Sequence, residues 1–111
     1  MEFVTIDGED VPAVGLGTWQ MDPSTARTAV ETGLDLGYRH VDTAQMYDNE
    51  RGVGQAIAAS PVDRESVFLT TKVAPSNRTE RAILASVADS LDLLVIDYVD
   101  LLLIHWPHPL A

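Results

Sequence analysis

Cysteine is absent from the 111-residue chain, which excludes a disulfide framework and thiol chemistry and fits a cytoplasmic setting. Basic residues are scarce: 7 Lys+Arg against 17 Asp+Glu leave a formal charge of −10 at pH 7. That balance repels nucleic acid and anionic membrane, so neither is expected as a partner. The same acidity is compatible with a protein working in high salt, where self-repulsion is screened. Apolar runs such as Leu101 to Ile104 fall far short of the ~20 residues of a membrane helix. The amino terminus, Met1-Glu2-Phe3-Val4-Thr5-Ile6-Asp7, is acidic where a signal peptide needs a basic start and an apolar stretch. What is present is ordinary globular material, 46% hydrophobic and 22% charged, enough for one domain with a single core.

Phe3 to Ile6 and Val11 to Val14 flank Asp7-Gly8-Glu9-Asp10 and read as a β-hairpin, because Asp-Gly supplies the positive φ angles of a tight turn. The hairpin should cap one end of the domain. Gly15-Leu16-Gly17-Thr18-Trp19-Gln20 begins like a dinucleotide fingerprint but has Gln20 where the third glycine belongs, so a Rossmann site is rejected. Asp22-Pro23 starts a helix. Ala26, Ala29, Val30, Gly33 and Leu34 give it one apolar face, and Gly37 ends it. Val53, Ala56 and Ile57 make a stripe on a second helix that stops before Pro61. Asn77 and Glu80 resemble a capping box for a third, with Ile83, Leu84, Val87 and Leu91 as its core face. Strands are expected near residues 14–19, 38–43, 67–72 and 98–105. The last is nearly continuously apolar and is expected to be buried on both faces. Strand and helix alternate without a linker, so the sheet should be parallel.

Each of the last three strands delivers a polar group at its carboxyl end, where α/β folds place their ligands. These are Asp42 with Tyr47 just after it, then Lys72, then His105. Singly, a lysine there is solvated, a histidine is a satisfied core residue and a tyrosine is packing. Recurrence at equivalent places in successive βα units points to a shared site. Arg39 and His40 have a pairing and packing explanation, and Asp100 that of closing a network at the other end. A competing chemistry takes Asp42, His105 and His108 as zinc ligands, but leaves Tyr47 and Lys72 idle.

The segment Gly37-Tyr38-Arg39-His40-Val41-Asp42-Thr43-Ala44-Gln45-Met46-Tyr47-Asp48-Asn49-Glu50, together with Gly15 to Trp19, Leu69-Thr70-Thr71-Lys72 and Asp97 to Pro107, resembles the aldo-keto reductase superfamily. The resemblance runs over essentially the whole chain. It implies an α/β fold, the N-terminal portion of a (β/α)8 TIM barrel with an N-terminal β-hairpin cap. Residues 1–111 would form a single partial domain of about four βα strands, the C-terminal half being absent, since such barrels take ~250 residues. It implies an oxidoreductase that reduces an aldehyde or ketone with NADPH, using no metal. The tetrad would be Asp42, Tyr47, Lys72 and His105. Thr18, Trp19 and Asp42 would touch the cofactor, and Trp19, Tyr47, His105 and Trp106 the small carbonyl substrate. The chemistry is coherent with that assignment. A carbonyl accepting hydride needs a proton, which a free phenol, with a pKa of ~10, gives reluctantly at neutral pH. A neighbouring ammonium stabilises the phenolate left behind, and a histidine can hydrogen-bond the carbonyl oxygen. The 111-residue piece alone is expected to be inactive. The alternative is a non-catalytic half-barrel that dimerises through its open edges, or a gene remnant.

Overall fold

A computed structural model describes residues 1–107. Phe3–Ile6 (β1) and Glu9–Pro12 (β2) pair antiparallel. Their turn is tighter than the four-residue loop expected, because Asp7 and Gly8 both take positive φ, 52° and 81°, as a two-residue primed turn requires. The second strand therefore starts two residues early, and Val14 is left exposed. The hairpin is anchored at its end, where the Pro12 carbonyl lies 3.1 Å from His40 Nδ1.

Gly15–Gly17 (β3), His40–Asp42 (β4), Phe68–Val73 (β5) and Leu101–Ile104 (β6) form a parallel sheet in the order β3-β4-β5-β6. Pro23–Asp35 (α1), Glu50–Ala59 (α2) and Glu80–Leu94 (α3) make the crossovers, as the alternating pattern requires. Asp22 caps α1, its Oδ1 accepting the Thr25 N–H at 2.7 Å, and Pro23 supplies a first-turn φ already suited to a helix. Gly37, at φ 103°, lets the chain leave α1 in a left-handed conformation closed to most residues.

One face of the sheet carries the core. Val41 and Leu69 pack with Ala26, Val30 and Leu34 of α1, Val53, Ala56 and Ile57 of α2, and Leu94 of α3. Because side chains alternate along a strand, the residues between them face the other way. Gly17, Asp42, Thr70 and Leu101 stand opposite one another in register, and Lys72 lies two positions on from Thr70, on the same face. The fold thereby turns Val41 and Leu69 to the helices and Asp42 and Lys72 to the inner side.

Three expectations need correction. The cap of α3 is Thr79, whose Oγ1 accepts the Ala82 N–H at 3.1 Å, rather than Asn77, whose amide is engaged by Gln45. The inward stripe of α3 ends in the buried Ser90 and Leu94, which rotates Leu84 away from the core and leaves it exposed. Strand β6 is not buried on both faces: Leu102, Leu103 and Ile104 are 40 to 56% exposed, because β6 is the sheet edge and no described element lies beyond it. Arg39 and Asp100 hold structure, as anticipated. Arg39 donates to the Leu34 and Tyr38 carbonyls. Asp100 accepts from the Leu69 N–H at 2.8 Å and pairs with Arg64 at 3.0 Å. Among the described residues no helix is long and apolar enough to cross a membrane.

Helix α2 approaches both its neighbours through glycine. A Cβ on Gly52 would overlap the Pro23 carbonyl, and one on Gly54 the Leu94 carbonyl. Backbone cannot step aside as a flexible side chain can. Gly52→Ala is therefore expected to lower unfolding free energy by about 1–3 kcal/mol, the range of overpacked sites, despite alanine's better helix propensity. Urea denaturation of the two proteins measures it.

Candidate active site

Strand β5 runs two residues beyond its pairing with β4 before Lys72 appears, and that offset brings the ammonium over the tip of β4. Lys72 Nζ donates to Asp42 Oδ2 at 2.7 Å, to the Thr43 carbonyl at 3.1 Å and to the Tyr47 hydroxyl at 3.2 Å. Its side chain is 14% exposed and that of Asp42 33%, a half-shielded setting in which a charge-assisted bond is stronger than at the surface. Tyr47 ends a short 3₁₀ turn, Gln45–Tyr47, with its ring 4.9 Å from the Lys72 nitrogen.

His105 follows β6 directly, and its backbone N–H donates to the Val73 carbonyl at 3.1 Å, so it extends the β5–β6 ladder by one rung. Its ring meets that of Tyr47 edge to face at 5.7 Å and Trp106 at 4.5 Å. Burial holds the imidazole below its ordinary value of 6.5, and the Lys72 ammonium pushes the same way against the opposing Asp42 carboxylate. Both effects favour the neutral ring, which has one N–H to give. Nδ1 is buried without a partner, which leaves Nε2 as the nitrogen on the open side.

The structure therefore brings Asp42, Tyr47, Lys72 and His105 into one cluster. Trp19 and Trp106 stand exposed. Thr18 has no exposed surface, and both its N–H and its hydroxyl donate to the Asp42 carbonyl, at 3.1 and 3.0 Å. It braces Asp42 from behind. His108 lies outside the described residues, among which no cluster of three or more acidic or histidine side chains is set to hold a metal ion. A concavity of about 820 Å³ lies under the hairpin, lined by Phe3, Arg39, Phe68 and Asp100 among others. It belongs to the amino ends of the strands and touches none of the cluster.

Two residues next to the tyrosine turn were legible only as motif letters. Asn49 is fully buried. It accepts from the Thr43 hydroxyl at 2.8 Å and donates to the Thr18 and Met21 carbonyls at 2.8 and 3.1 Å, tying the loop after β3 to that after β4. Glu50, 4% exposed, accepts from Thr71 at 2.7 Å and from Ser90 at 3.1 Å, joining α2 to β5 and α3 behind Lys72. The available signal was a polar pair, Asn49-Glu50, closing an unbroken motif at the start of an apolar helix stripe.

The family model for the aldo/keto reductase family matches residues 13–111. The chain belongs to this family. It is 50% identical over 103 residues to an aldo-keto reductase of Mycobacterium sp. (strain KMS), covering 93% of this chain and 37% of that one. It is 50% identical over 99 residues to a methylglyoxal reductase of Salmonella typhi, covering 89% and 37%. The solved aldo/keto reductase from Brucella melitensis superposes with a TM-score of 0.92 at 45% identity, covering 97% of this chain and 43% of that one. The chain thus spans less than half the length of these aldo/keto reductases, and its parallel sheet with outer helices is part of their (β/α)8 barrel.

Desolvation raises the Glu50 carboxyl from its ordinary value of 4.5, only partly offset by the hydroxyls of Thr71 and Ser90. A folded-state value above the unfolded one means a contribution to stability that is complete below about 4.5. It is lost as pH rises through the folded value, because the native state must then ionise a buried group. Glu50→Gln removes this proton linkage. Comparing unfolding free energies of parent and variant from about pH 4 to pH 8 should show the variant gaining relative to the parent as pH rises. A constant difference would mean that Glu50 ionises freely in the folded protein.

Proposed function

We propose that the protein is an NADPH-dependent reductase of small aldehydes or ketones, with Tyr47 as proton donor. Residues 1–111 would be one part of a single catalytic barrel domain. The observation that carries this reading is the position of Lys72, within hydrogen-bond reach of both the Asp42 carboxylate and the Tyr47 hydroxyl. An ammonium pinned by a carboxylate and turned on a phenol suits one task well, stabilising the phenolate formed when the phenol gives up its proton.

The residues present fit the reacting end of a nicotinamide cofactor. Asp42 Oδ2 is taken by Lys72, whereas Oδ1 accepts no hydrogen bond among the described residues and is free for a ribose hydroxyl. Thr18 holds that aspartate in place, and Trp19, the next residue along the chain, offers an exposed apolar face. When bound, the cofactor supplies the hydride. The side chains do the rest. His105, in its neutral form, donates from Nε2 to the carbonyl oxygen and orients it, and Tyr47 delivers the proton to that oxygen as negative charge develops there. Trp19 and Trp106 flank the carbonyl compound and keep water away. The name methylglyoxal reductase carried by a relative supports a small substrate.

The test uses the protein at its natural length, with NADPH oxidation by an aldehyde beside a cofactor-binding titration. Tyr47→Phe removes one hydroxyl, so binding should persist while turnover falls ~10²–10⁴-fold, the usual loss with a positioned proton donor. Lys72→Met should be similarly damaging, and His105→Ala should weaken both turnover and substrate binding. Near-parental turnover in Tyr47→Phe, with cofactor bound normally, would return Tyr47 to a packing role.

A further inference from the structure

We propose that Gln45 is the positioning residue for the proton donor, its side-chain amide fixing the turn that carries Tyr47 against the strand that carries Lys72. The inference rests on Tyr47 being that donor.

The turn Gln45–Tyr47 has little of its own to hold it. It has no side-chain cap, and its backbone bonds are local, Tyr47 N–H to the Ala44 carbonyl at 3.1 Å and Asp48 N–H to the Gln45 carbonyl at 3.3 Å. The residue that closes it, Asp48, sits at φ 55°, a left-handed conformation that costs a non-glycine residue energy. Gln45 supplies what is lacking. Its Oε1 accepts from the Ala74 N–H at 2.8 Å and from Asn77 Nδ2 at 3.2 Å, and its Nε2 donates to Ser86 Oγ at 3.1 Å. Ala74 is two residues beyond Lys72, and Ser86 lies in α3.

The direction of these bonds is determined. The Ala74 N–H can only donate, so the oxygen of Gln45 faces it and the nitrogen faces Ser86. Ser86 gives its own proton to the Ile83 carbonyl at 2.8 Å, leaving a lone pair for Gln45. Both ends of the amide are therefore matched to partners outside the turn. Among the described residues, apart from Gln45, the side-chain hydrogen bond that reaches the turn from elsewhere is that of Lys72 to the Tyr47 hydroxyl, at 3.2 Å. With the amide gone, the hydrogen bond left to place the phenol would be the one it has to reorganise during proton transfer, beside its ring contact with His105.

The experiment is a double-mutant cycle in the protein at its natural length. Gln45→Met keeps length and loses both polar atoms, Gln45→Glu keeps an acceptor for Ala74, and each is also built on Tyr47→Phe. Gln45→Met should lower kcat about 10²-fold, the scale of a 1 Å misplacement of a reacting group, with cofactor affinity unchanged. Gln45→Glu should recover most of that loss. In the Tyr47→Phe background neither change should lower the residual rate further. A readout independent of turnover accompanies these: amide exchange at Ala74 should speed up in Gln45→Met, and the ring contact between Tyr47 and His105 should weaken in NMR spectra. A Gln45→Met loss of equal size with and without the Tyr47 hydroxyl would overturn the proposal, as would parental kcat in Gln45→Met. Should Gln45→Met fail to fold, Ser86→Ala removes the Nε2 partner and leaves the Oε1 bonds, at the cost of the local bond from Ser86 to the Ile83 carbonyl within α3. It should give a smaller loss that also vanishes on Tyr47→Phe, and any other result counts against the inference. A Tyr47→Phe protein with near-parental turnover would instead sink the proton-donor assignment itself.

Discussion

The Lys72 ammonium reaches three oxygens, those of the Asp42 carboxylate, the Thr43 carbonyl and the Tyr47 hydroxyl, and each belongs to the segment leaving β4. A single cation from one strand thus organises the end of its neighbour. A half-buried ammonium is tolerable only while its oxygens stay in place, since removing one partner leaves a charge that neither water nor protein solvates fully. Much else in the chain can be understood as keeping those oxygens still.

Behind Asp42 stands Thr18, donating twice to its carbonyl. Thr43 is held through Asn49, which also fastens the loop after β3. Behind Lys72, Glu50 accepts from Thr71 and Ser90 and so locks β5 to α2 and α3. These are buried polar groups with their partners present, the condition under which such groups rigidify a structure instead of weakening it. The helices reach this closeness because Gly52 and Gly54 remove the side chains that would hold α2 off its neighbours. The same arrangement favours a neutral His105, for burial and the lysine charge disfavour the imidazolium against the opposing pull of Asp42.

The parallel sheet, the helices and the clustering of Asp42, Tyr47, Lys72 and His105 were legible because each rests on local signals: period, strand and helix in alternation, and polar side chains at strand ends. What escaped depended on distant neighbours. Leu84 fits the apolar period of α3 as well as Ile83 does, and only the path of α3 over its neighbours decides that one is covered and the other exposed. Asn77 looked like a helix cap, yet its amide has a partner 32 residues away in Gln45, and Thr79 takes the cap. The apolar run of β6 suggested burial on both faces, and within the described residues it is the edge of the sheet, so its side chains stay partly open. Asn49 and Glu50 were visible as letters of a motif and Gln45 only as a residue inside it, and the hydrogen bonds of all three were not.

The dependence of the whole site on one cation is tested most directly by a second double-mutant cycle, Asp42→Asn and Lys72→Met singly and together, read as turnover in the protein at its natural length. If Asp42 serves the chemical step chiefly by holding the ammonium, then at saturating cofactor, where a contact of Oδ1 to the cofactor no longer limits the rate, the double variant should turn over no more slowly than Lys72→Met alone, because the carboxylate has no ammonium left to hold. Losses that multiply in the double variant would show Asp42 and Lys72 working independently, and would contradict the account.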